Sequence, residues 1–442
     1  MNASRAVDRT PRTSRRRARL VAPCALLLAL GGLPLGPTAV AAADPSPAPS
    51  PTPSASAPRS PTLKRIDPAA FRAAVERAAK ALGVPGAVVL LQTPQGTYRA
   101  LVGTSELGRA EPPDPGDHFR IASNTKTMTS ALIMLLVQDG SVRLTDPVSR
   151  YVAGVPNGAK ITIADLLTMR SGLYNYTDAP ELAAALDADP GRAWTPQDVL
   201  DIAYRRPPDA APGTSYAYDN TNYVLLGLVA EKAGGRPLAE QFRDRLFAPL
   251  GIDDTFLPDI HDRSLPAPFA HGYMYGGSSY ALVDKPYPPA IVEGARTGTL
   301  RPVDRTRQNP SYATAAGGVV STARSMATWI RALVTGKVLN AATQQQWLRS
   351  PRREDPAAPD GQKYGYGIAY QRFAPNAAMY YHGGELPGFN SFIGHDPDSD
   401  VTLVVWTNLT VSPDGRATAI ALLPTVLNQV YTGLALPTGH SG

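Results

Sequence analysis

The spacing of apolar and polar positions changes along the chain, and it first predicts a helix followed by two strands. Residues 68–82, PAAFRAAVERAAKAL, place apolar residues at helical spacing behind a proline, which is typical of an amphipathic helix. The next two runs, GAVVLLQT (86–93) and GTYRALVGT (96–104), have the composition of strands. The short Pro-Gln-Gly connection between them predicts a β-hairpin.

The middle of the chain, roughly residues 119 to 260, reads as helices separated by loops. The helical runs are TSALIMLLVQDG (129–140), TIADLLTM (162–169), TPQDVLDIAYR (195–205), TNYVLLGLVAEKAGG (221–235) and LAEQFRDRLFAPLG (238–251). Strand patterns return late in the chain, in YGYGIAYQRF (364–373), AMYYHGG (378–384), SFIGHDP (391–397) and VTLVVWTN (401–408), before a final helix over about 416–431. Strands at both ends with helices between them predict an α/β (α+β) fold, in which one sheet is built from the two chain ends and a mainly helical lobe is inserted.

The positive charge of the chain is confined to its beginning. The whole sequence has a formal net charge of +6, and residues 1–43 alone hold seven arginines against one acid, Asp8. The remaining residues are therefore neutral by the same count. A chain with no basic surface to account for is not expected to bind nucleic acid.

The first 43 residues have the features of a secretory signal peptide. A basic start is followed by a short apolar run, CALLLALGGLPLG (24–36), and by small residues in TAVAAAD (38–44), with cleavage expected after Ala41 or Ala43. Glycines and a proline break the apolar run, which makes a retained membrane anchor the weaker reading. We therefore expect a secreted protein, exported by the Sec route or, since SRRRARL (14–20) resembles a twin-arginine signal, by the Tat route.

The domain boundaries follow from composition. Residues 44–62 form a Pro/Ser/Ala tract, predicted to be an extended linker, and we place a single catalytic domain at 63–435 with a short tail at 436–442. The only cysteine, Cys24, lies in the signal peptide. The mature protein should therefore lack disulfides, a thiol nucleophile and thiolate metal sites.

Lys126 lies next to a run that predicts a buried helix, where a charged side chain is energetically costly. In FRIASNTKTMTSALIMLLVQDG (119–140), Ser123 and Lys126 are three residues apart, and residues 131–137 are apolar around the whole helix, which predicts a buried helix. On a helix the two side chains would share a face, with Ser123 near the positive end of the dipole. Burial would lower the pKa of Lys126, so the amine could take the proton of Ser123. The alternative is a structural lysine, because one S-x-x-K is expected by chance in such a chain.

A second candidate pair lies at Tyr218-Asp219-Asn220, on a loop before a buried helix. The Tyr218 phenol could relay a proton, and the Asn220 amide could donate to a substrate carbonyl. Alternatively, the tyrosine packs on the core and the asparagine belongs to a turn.

The third candidate segment is His382-Gly383-Gly384 at the end of a predicted strand, where two glycines could expose the backbone to a ligand. A lone histidine is more often structural, and a second H-x-G at 440–442 lies in the tail and is attributed to chance.

The three motifs, taken in order, resemble those of the penicillin-recognising serine hydrolases, the superfamily of serine beta-lactamases and penicillin-binding proteins. Longer segments share the likeness, among them LLTMRSGLYNYTD, PGTSYAYDNTNYVLLGLVAEKAGGRPL and AAGGVVSTARSMATWI, so that it extends over residues 63–431. The histidine that opens the third motif and SGLYNYTD look most like the secreted D-alanyl-D-alanine carboxypeptidases. The resemblance implies a beta-lactamase/transpeptidase-like fold with a central antiparallel sheet flanked by helices.

The resemblance also implies acyl transfer without a metal or cofactor. Ser123 would attack a carbonyl, Lys126 and Tyr218 would move its proton, and the backbone N–H groups of Ser123 and Glu385 would bind the oxyanion. His382, Gly383, Gly384 and Asn220 would hold the substrate. The substrate would be a peptidoglycan stem peptide or another D-amino-acyl compound, with beta-lactams as acylating inhibitors, and we expect a monomer.

Three departures from the family pattern bear on the substrate. Carboxypeptidases of the family need a cation for the terminal carboxylate, yet Ala369 stands at the matching place and Arg372 has the opposite strand parity. Glu385 would repel a carboxylate and could hold an amine. Asp219 replaces a small residue and is expected to face solvent. The first two points favour D-aminopeptidase or esterase activity. The resemblance still makes a D-alanyl-D-alanine carboxypeptidase the first expectation, with beta-lactamase, D-aminopeptidase and esterase as the alternatives.

Two non-enzymatic hypotheses for the function of this protein remain. One is a catalytically silent protein that binds beta-lactams or peptidoglycan, and the other is a structural protein of the cell envelope, which only the Pro-rich tract favours. The joint presence of serine, lysine, tyrosine and histidine favours an enzyme. Neither H-E-x-x-H nor G-x-S-x-G occurs in the sequence, so zinc-protease and α/β-hydrolase chemistry are not indicated.

Overall fold

The structure is a computed structural model and describes residues 63–283, 285–374 and 377–434. The predicted signal peptide, the linker at 44–62, the tail and its H-x-G copy lie outside the described residues. The α-helices are α1 (Pro68–Ala81), α2 (Thr125–Gln138), α3 (Ile163–Leu167), α4 (Pro180–Ala188), α5 (Pro196–Tyr204), α6 (Thr221–Gly234), α7 (Leu238–Phe242), α8 (Ser279–Leu282), α9 (Pro289–Thr297), α10 (Thr314–Gly317), α11 (Ala323–Val334), α12 (Ala341–Leu348) and α13 (Thr418–Val430).

Most strands belong to one sheet. The strands are β1 (Gly86–Thr93), β2 (Gly96–Gly103), β3 (Phe119–Arg120), β4 (Tyr273–Met274), β5 (Val303–Asp304), β6 (Val320–Ser321), β7 (Arg352–Arg353), β8 (Lys363–Tyr364), β9 (Ala369–Ala374), β10 (Ala377–Leu386), β11 (Phe389–Asp396) and β12 (Val401–Thr407). Eight of them form an antiparallel sheet in the order β2-β1-β12-β11-β10-β9-β8-β7. Because β1 pairs with β12, the sheet joins the two ends of the chain, which confirms the prediction.

Both faces of this sheet are covered. Helix α11 packs on β1, β11 and β12, whereas α13 packs on β11 and β12 and contacts α1, which lies on β2. Strands β11 and β12 are buried along their whole length, as expected of strands enclosed between two layers. The fold is thus the mixed α/β arrangement expected from the sequence.

The inserted lobe is helical and is organised around α2 and α6. Helix α6 contacts α2, α3, α5 and α10. Residues 131–136 of α2 are buried as predicted, because the helix lies between other helices on all sides. No helix within the described ranges is both long and apolar enough to cross a bilayer.

One strand prediction was wrong in detail. The run 364–373 is not a single strand, because Gly367 adopts a φ of 68° and a turn separates β8 from β9. Likewise, His382 does not end its strand, since β10 continues to Leu386. The candidate residues His382, Gly383, Gly384 and Glu385 therefore all lie within β10.

Candidate active site

Ser123 lies on a strained turn between β3 and α2. It is the middle residue of a 3₁₀-helix, Ala122–Asn124, that runs directly into α2, and Ala122 has a left-handed φ of 52°. Such a φ is uncommon for a residue with a Cβ and is often found at functional sites. The side chain of Asn124 holds the turn by donating to the Ile121 carbonyl at 2.9 Å and to Ser391 Oγ of β11 at 2.8 Å. Ser123 itself remains partly exposed.

Lys126 is fully buried and surrounded by acceptors. Its Nζ lies 2.9 Å from Ser123 Oγ, 2.7 Å from Asn220 Oδ1 and 2.8 Å from the Ala316 carbonyl oxygen. Burial lowers the pKa of Lys126 well below its ordinary value, and the charge of Asp219 opposes that shift only in part. The sequence prediction of a buried lysine beside the serine is therefore confirmed in geometry and in the direction of its pKa.

The three partners of Lys126 determine how the neutral amine is oriented. A neutral amine has two N–H bonds and one lone pair, and the amide oxygen of Asn220 and the carbonyl of Ala316 can only accept hydrogen bonds. When Lys126 is neutral, its lone pair is therefore directed at Ser123, whose O–H can donate to it; when Lys126 is protonated, Nζ donates to Ser123 Oγ. In this arrangement Lys126 can accept the serine proton without any movement of heavy atoms.

Helix α10 supplies the carbonyl that holds Lys126. The helix is attached to α2 by Thr129 Oγ1, which donates to the Ala315 carbonyl at 2.7 Å, and by the Val319 N–H, which donates to Thr125 Oγ1 at 3.1 Å. It begins at Thr314, another non-glycine residue with a positive φ, 42°. The sequence analysis did not find Ala316, because a backbone acceptor carries no signal in the residue type.

Tyr218 lies beside Lys126, as predicted. The ring centroid of Tyr218 is 4.9 Å from Lys126 Nζ and 6.3 Å from that of His382. Burial raises the pKa of Tyr218 above its ordinary value, while a hydrogen bond with Ser123 opposes the increase. A phenol with a raised pKa stays protonated at neutral pH, so Tyr218 is suited to donate and relay a proton, whereas the lowered pKa of Lys126 makes its amine the more available proton acceptor of the two.

The expectation that Asp219 faces solvent was wrong. Asp219 is only 2% exposed, and its carboxylate accepts hydrogen bonds from the Thr221 N–H at 2.7 Å and from Asn222 Nδ2 at 3.1 Å, both at the start of α6. Burial raises its pKa to about 7, against the effect of the Thr221 hydrogen bonds. Asp219 thus places a titratable carboxyl at a helix N-terminus, where negative charge is stabilised.

Asn220 turns its amide oxygen to Lys126, and its Nδ2 donates to Thr177 Oγ1 at 3.0 Å. At least one of its two N–H bonds is therefore used within the protein. Its predicted role as a donor to substrate remains a prediction, and its observed contact is with Lys126.

His382 is buried and held in one tautomer. Its Nδ1–H donates to the Gly383 carbonyl at 2.6 Å, and its Nε2 lies 3.0 Å from the hydroxyl of Tyr364, which donates to it. Burial first, and the charge of Lys126 second, lower the pKa of His382 to about 3. The imidazole is therefore neutral at neutral pH. Tyr364 is not among the predicted site residues, since residues 364–373 were predicted only as a strand.

The two glycines of the third motif have different surroundings. A Cβ on Gly384 would lie 2.3 Å from the Ile121 carbonyl oxygen and 2.8 Å from Asn124 Nδ2, whereas a Cβ on Gly383 would meet nothing closer than Ile420 Cδ1 at 3.4 Å. Gly384 therefore permits the close approach of β10 to the serine turn. The pairing of β9 with β10 ends at Tyr381, so residues 382–386 have β11 on one side and no described strand on the other.

Glu385 lies near Tyr218, and Ala369, the position that the resemblance matched to an arginine, carries no charge. Glu385 is partly exposed and accepts from Asn390 Nδ2 at 2.9 Å. Burial is the main cause that raises the pKa of Tyr218 and Tyr287, and the charge of Glu385 adds to both shifts. Ala369 is buried opposite Tyr381, whereas Arg372 is exposed and pairs with Ala378, farther from His382 along β10. Among the described residues, no group of three or more His, Cys, Asp or Glu side chains is arranged to hold a metal ion.

Comparison with known proteins identifies the family. The beta-lactamase family profile matches residues 71–426. The chain belongs to the beta-lactamase family. Among solved structures, a D-stereospecific amidohydrolase from Streptomyces sp. is 28% identical with a TM-score of 0.68, covering 80% of this chain and 98% of that one.

Two curated bacterial relatives are similar in sequence. Penicillin-binding protein 4* of Bacillus subtilis (strain 168) is 25% identical over 319 residues, which cover 70% of this chain and 65% of the relative. The D-alanyl-D-alanine-carboxypeptidase/endopeptidase AmpH of Escherichia coli (strain K12) is 34% identical over 178 residues, 38% of this chain and 44% of the relative. The matches thus span less than two thirds of the length of these relatives. As a member of this family, the chain has the serine beta-lactamase/penicillin-binding-protein fold.

Proposed function

We propose that this protein hydrolyses amides or short peptides of D-amino acids through an acyl-enzyme on Ser123, and that it prefers substrates with a free amino group. The observation that carries the proposal is the combination of an acid, Glu385, at the reactive edge of β10 with an alanine, Ala369, at the place where a carboxypeptidase needs a cation. A carboxylate attracts an ammonium group and repels the carboxylate of a C-terminal residue. The similar Streptomyces amidohydrolase, named D-stereospecific, supports the substrate class.

The acylation step follows from the distances at Ser123. The serine O–H bond breaks, its proton passes to the lone pair of Lys126 Nζ 2.9 Å away, and Oγ forms a bond to the substrate carbonyl carbon. The oxygen of the tetrahedral intermediate would be bound by the N–H groups of Ser123 and Glu385. When the intermediate collapses, the C–N bond breaks and the leaving amine takes a proton from Tyr218, which is reprotonated by Lys126.

Deacylation repeats these steps with water. A water molecule donates a proton to the Tyr218 oxygen while Tyr218 passes its own proton to Lys126, which is neutral again, and the water oxygen attacks the acyl carbon. Collapse of the second intermediate breaks the bond to Ser123 Oγ, which recovers its proton, and releases the acid. In this scheme His382, which is neutral, contributes shape and hydrogen bonding at the edge of β10 and does not act as a base.

The test of the substrate class is a comparison of matched substrates. We expect D-phenylalanine amide to be hydrolysed at least tenfold faster, in kcat/KM, than both its N-acetyl derivative and the L-enantiomer. Glu385→Gln should remove the preference for the free amine and leave the rate on the acetylated substrate unchanged. Equal rates on the free and acetylated amides in the parent protein would contradict the proposal.

A second candidate is the D-alanyl-D-alanine carboxypeptidase activity that SGLYNYTD suggests. The similarity to AmpH over 178 residues favours it. Release of D-alanine from an N-acylated D-Ala-D-Ala peptide at a higher kcat/KM than that for D-amino acid amides would establish it in place of the first. Beta-lactams should acylate Ser123 under either function.

We also propose that the enzyme is exported and acts as a monomer at the cell envelope. The basic, apolar and small-residue segments of 1–43 support export, and the neutral charge of the remaining chain gives no reason to expect nucleic acid as a partner. Recovery of a mature form cut after Ala41 or Ala43 from the culture medium would support export. Retention of the full-length chain in the cytoplasm would contradict it.

A further inference from the structure

We propose that Asn175, Thr177 and Asp178 are positioning residues that fix the orientation of the Asn220 amide and, through it, the lone pair of Lys126. This inference rests on the proposed acyl-enzyme chemistry and extends it to a segment, 175–178, to which the sequence assigned no part in the reaction. Asn175 and Thr177 are 9% and 7% exposed, and no role in the chemistry follows from their residue types alone.

The residues form one continuous chain of hydrogen bonds. Asn175 Nδ2 donates to Asp178 Oδ1 at 2.8 Å, and Thr177 Oγ1 donates to Asn175 Oδ1 at 3.0 Å. Asn220 Nδ2 donates to Thr177 Oγ1 at 3.0 Å, and Asn220 Oδ1 accepts from Lys126 Nζ at 2.7 Å.

The direction of this chain is set at its far end. An ionised carboxylate can only accept hydrogen bonds, so Asp178 requires the Nδ2 side of Asn175, which leaves Asn175 Oδ1 as the acceptor for Thr177. The hydroxyl proton of Thr177 is then used in the hydrogen bond to Asn175 Oδ1, so the Thr177 oxygen accepts from Asn220 Nδ2. Asn220 must therefore present its oxygen to Lys126.

The backbone holds the two segments together. The Asn220 N–H donates to Asn175 Oδ1 at 3.0 Å, and the Tyr176 N–H donates to Thr221 Oγ1 at 3.2 Å. The buried Tyr176 hydroxyl donates to the Tyr312 carbonyl at 2.8 Å. Segment 175–178 is thus also held by bonds that do not pass through the Thr177 hydroxyl.

A reversed Asn220 amide would remove the base. Its Nδ2 would face Lys126 and donate to the amine lone pair, in competition with the Ser123 hydroxyl. The protonated form of Lys126 would also lose one of its three acceptors, which lowers its pKa further. We therefore expect acylation to be slower and the acidic limb of its pH–rate profile to move to lower pH.

The test measures acylation by a fluorophosphonate, which depends on Ser123 and Lys126 and not on the identity of the natural substrate. Thr177→Val keeps the shape of the side chain and removes its hydroxyl. We expect the plateau rate to fall about 10- to 100-fold, as for other small displacements in active sites, and the acidic limb to move to lower pH. Thr177→Ser should restore both the plateau rate and the position of the acidic limb. Thr177→Ala, which adds no atom, replaces the valine variant if that protein does not fold.

The matched control is Thr168→Val. Thr168 is 4% exposed and also donates one hydrogen bond, to the Ala164 carbonyl at 2.7 Å, but it has no link to Lys126. This variant should lose stability without any change in rate or pH profile. The inference would be overturned if Thr177→Val kept the plateau acylation rate and the acidic limb of the parent protein. It would also be overturned if Thr177→Ser were as impaired as the valine variant. Failure of the parent to hydrolyse D-amino acid amides would overturn only the proposed substrate.

Discussion

Lys126 Nζ lies 2.9 Å from Ser123 Oγ inside a site where the lysine side chain has no exposed surface. Its other two neighbours, Asn220 Oδ1 and the Ala316 carbonyl, can only accept hydrogen bonds. Burial disfavours the charged form of the amine, and in its neutral form the lone pair faces Ser123. Under the proposed function, this relationship would activate Ser123.

The first prediction concerns Lys126 itself. Lys126→Met keeps most of the buried volume and removes the amine, so acylation of Ser123 should slow by about 10²- to 10⁴-fold, the range of a lost general base. Stopped-flow acylation with a chromogenic beta-lactam measures the rate, and circular dichroism checks the fold. A folded Lys126→Met protein that is acylated at the parent rate would contradict the assignment.

The second prediction concerns Asp219, whose pKa burial raises to about 7. A carboxyl whose folded pKa is raised contributes stability that is present below its unfolded value, 3.8, and is lost as the pH rises through 7. Asp219→Asn should abolish that part of the pH dependence of the free energy of unfolding, which denaturant titrations at several pH values between 4 and 8 measure.

The same substitution should affect catalysis. The charge of Asp219 raises the pKa of Lys126, so its removal should lower that pKa and move the acidic limb of acylation to lower pH. An unchanged limb in a folded Asp219→Asn protein would show that the carboxylate does not act on Lys126.

The third prediction uses the two neighbouring glycines of β10 as a matched pair. Gly384→Ala places a Cβ 2.3 Å from the Ile121 carbonyl oxygen and should displace the serine turn, with a loss of about 1–3 kcal/mol of stability and most of the activity. Gly383→Ala meets only ordinary contacts and should retain the parent's melting temperature. Thermal unfolding and acylation rates of the two variants provide the comparison. Equal effects at both positions would show that close approach is not the reason for Gly384.

The fourth prediction concerns His382, whose pKa burial and Lys126 lower to about 3. A histidine with a lowered folded pKa contributes stability that is present above 6.5 and is lost as the pH falls toward 3. The ¹⁵N chemical shifts of its ring should therefore stay those of a neutral imidazole protonated at Nδ1 between pH 5 and 9. Titration of His382 in that range would contradict the described environment.

The fold was largely predictable because its elements have strong local patterns. The helix predicted at 68–82 corresponds to α1, and the two runs after it correspond to β1 and β2, since each buries one face or both. The split of 364–373 into β8 and β9 was not predicted, because the turn at Gly367 looks in sequence like a glycine within a strand.

The candidate site was predictable only where residue type signals chemistry. Ser123, Lys126 and Tyr218 come together as the ordered motifs and their resemblance to a known family predicted, although each motif alone also allowed a structural role. The links from Thr177 to Asn220, 43 residues apart, and from Ala316 to Lys126, 190 residues apart, are contacts of the folded chain that no local pattern records. Asp219 was misjudged because acids are mostly exposed and its helix-capping contacts could not be anticipated.

The most direct measurement of the central claim is the intact mass of the protein after reaction with a beta-lactam or a fluorophosphonate, followed by peptide mapping. One covalent adduct should form, on Ser123, and none should form in Ser123→Ala. A folded parent protein that acquires no adduct, or acquires it on another residue, would contradict the assignment of Ser123 as the nucleophile.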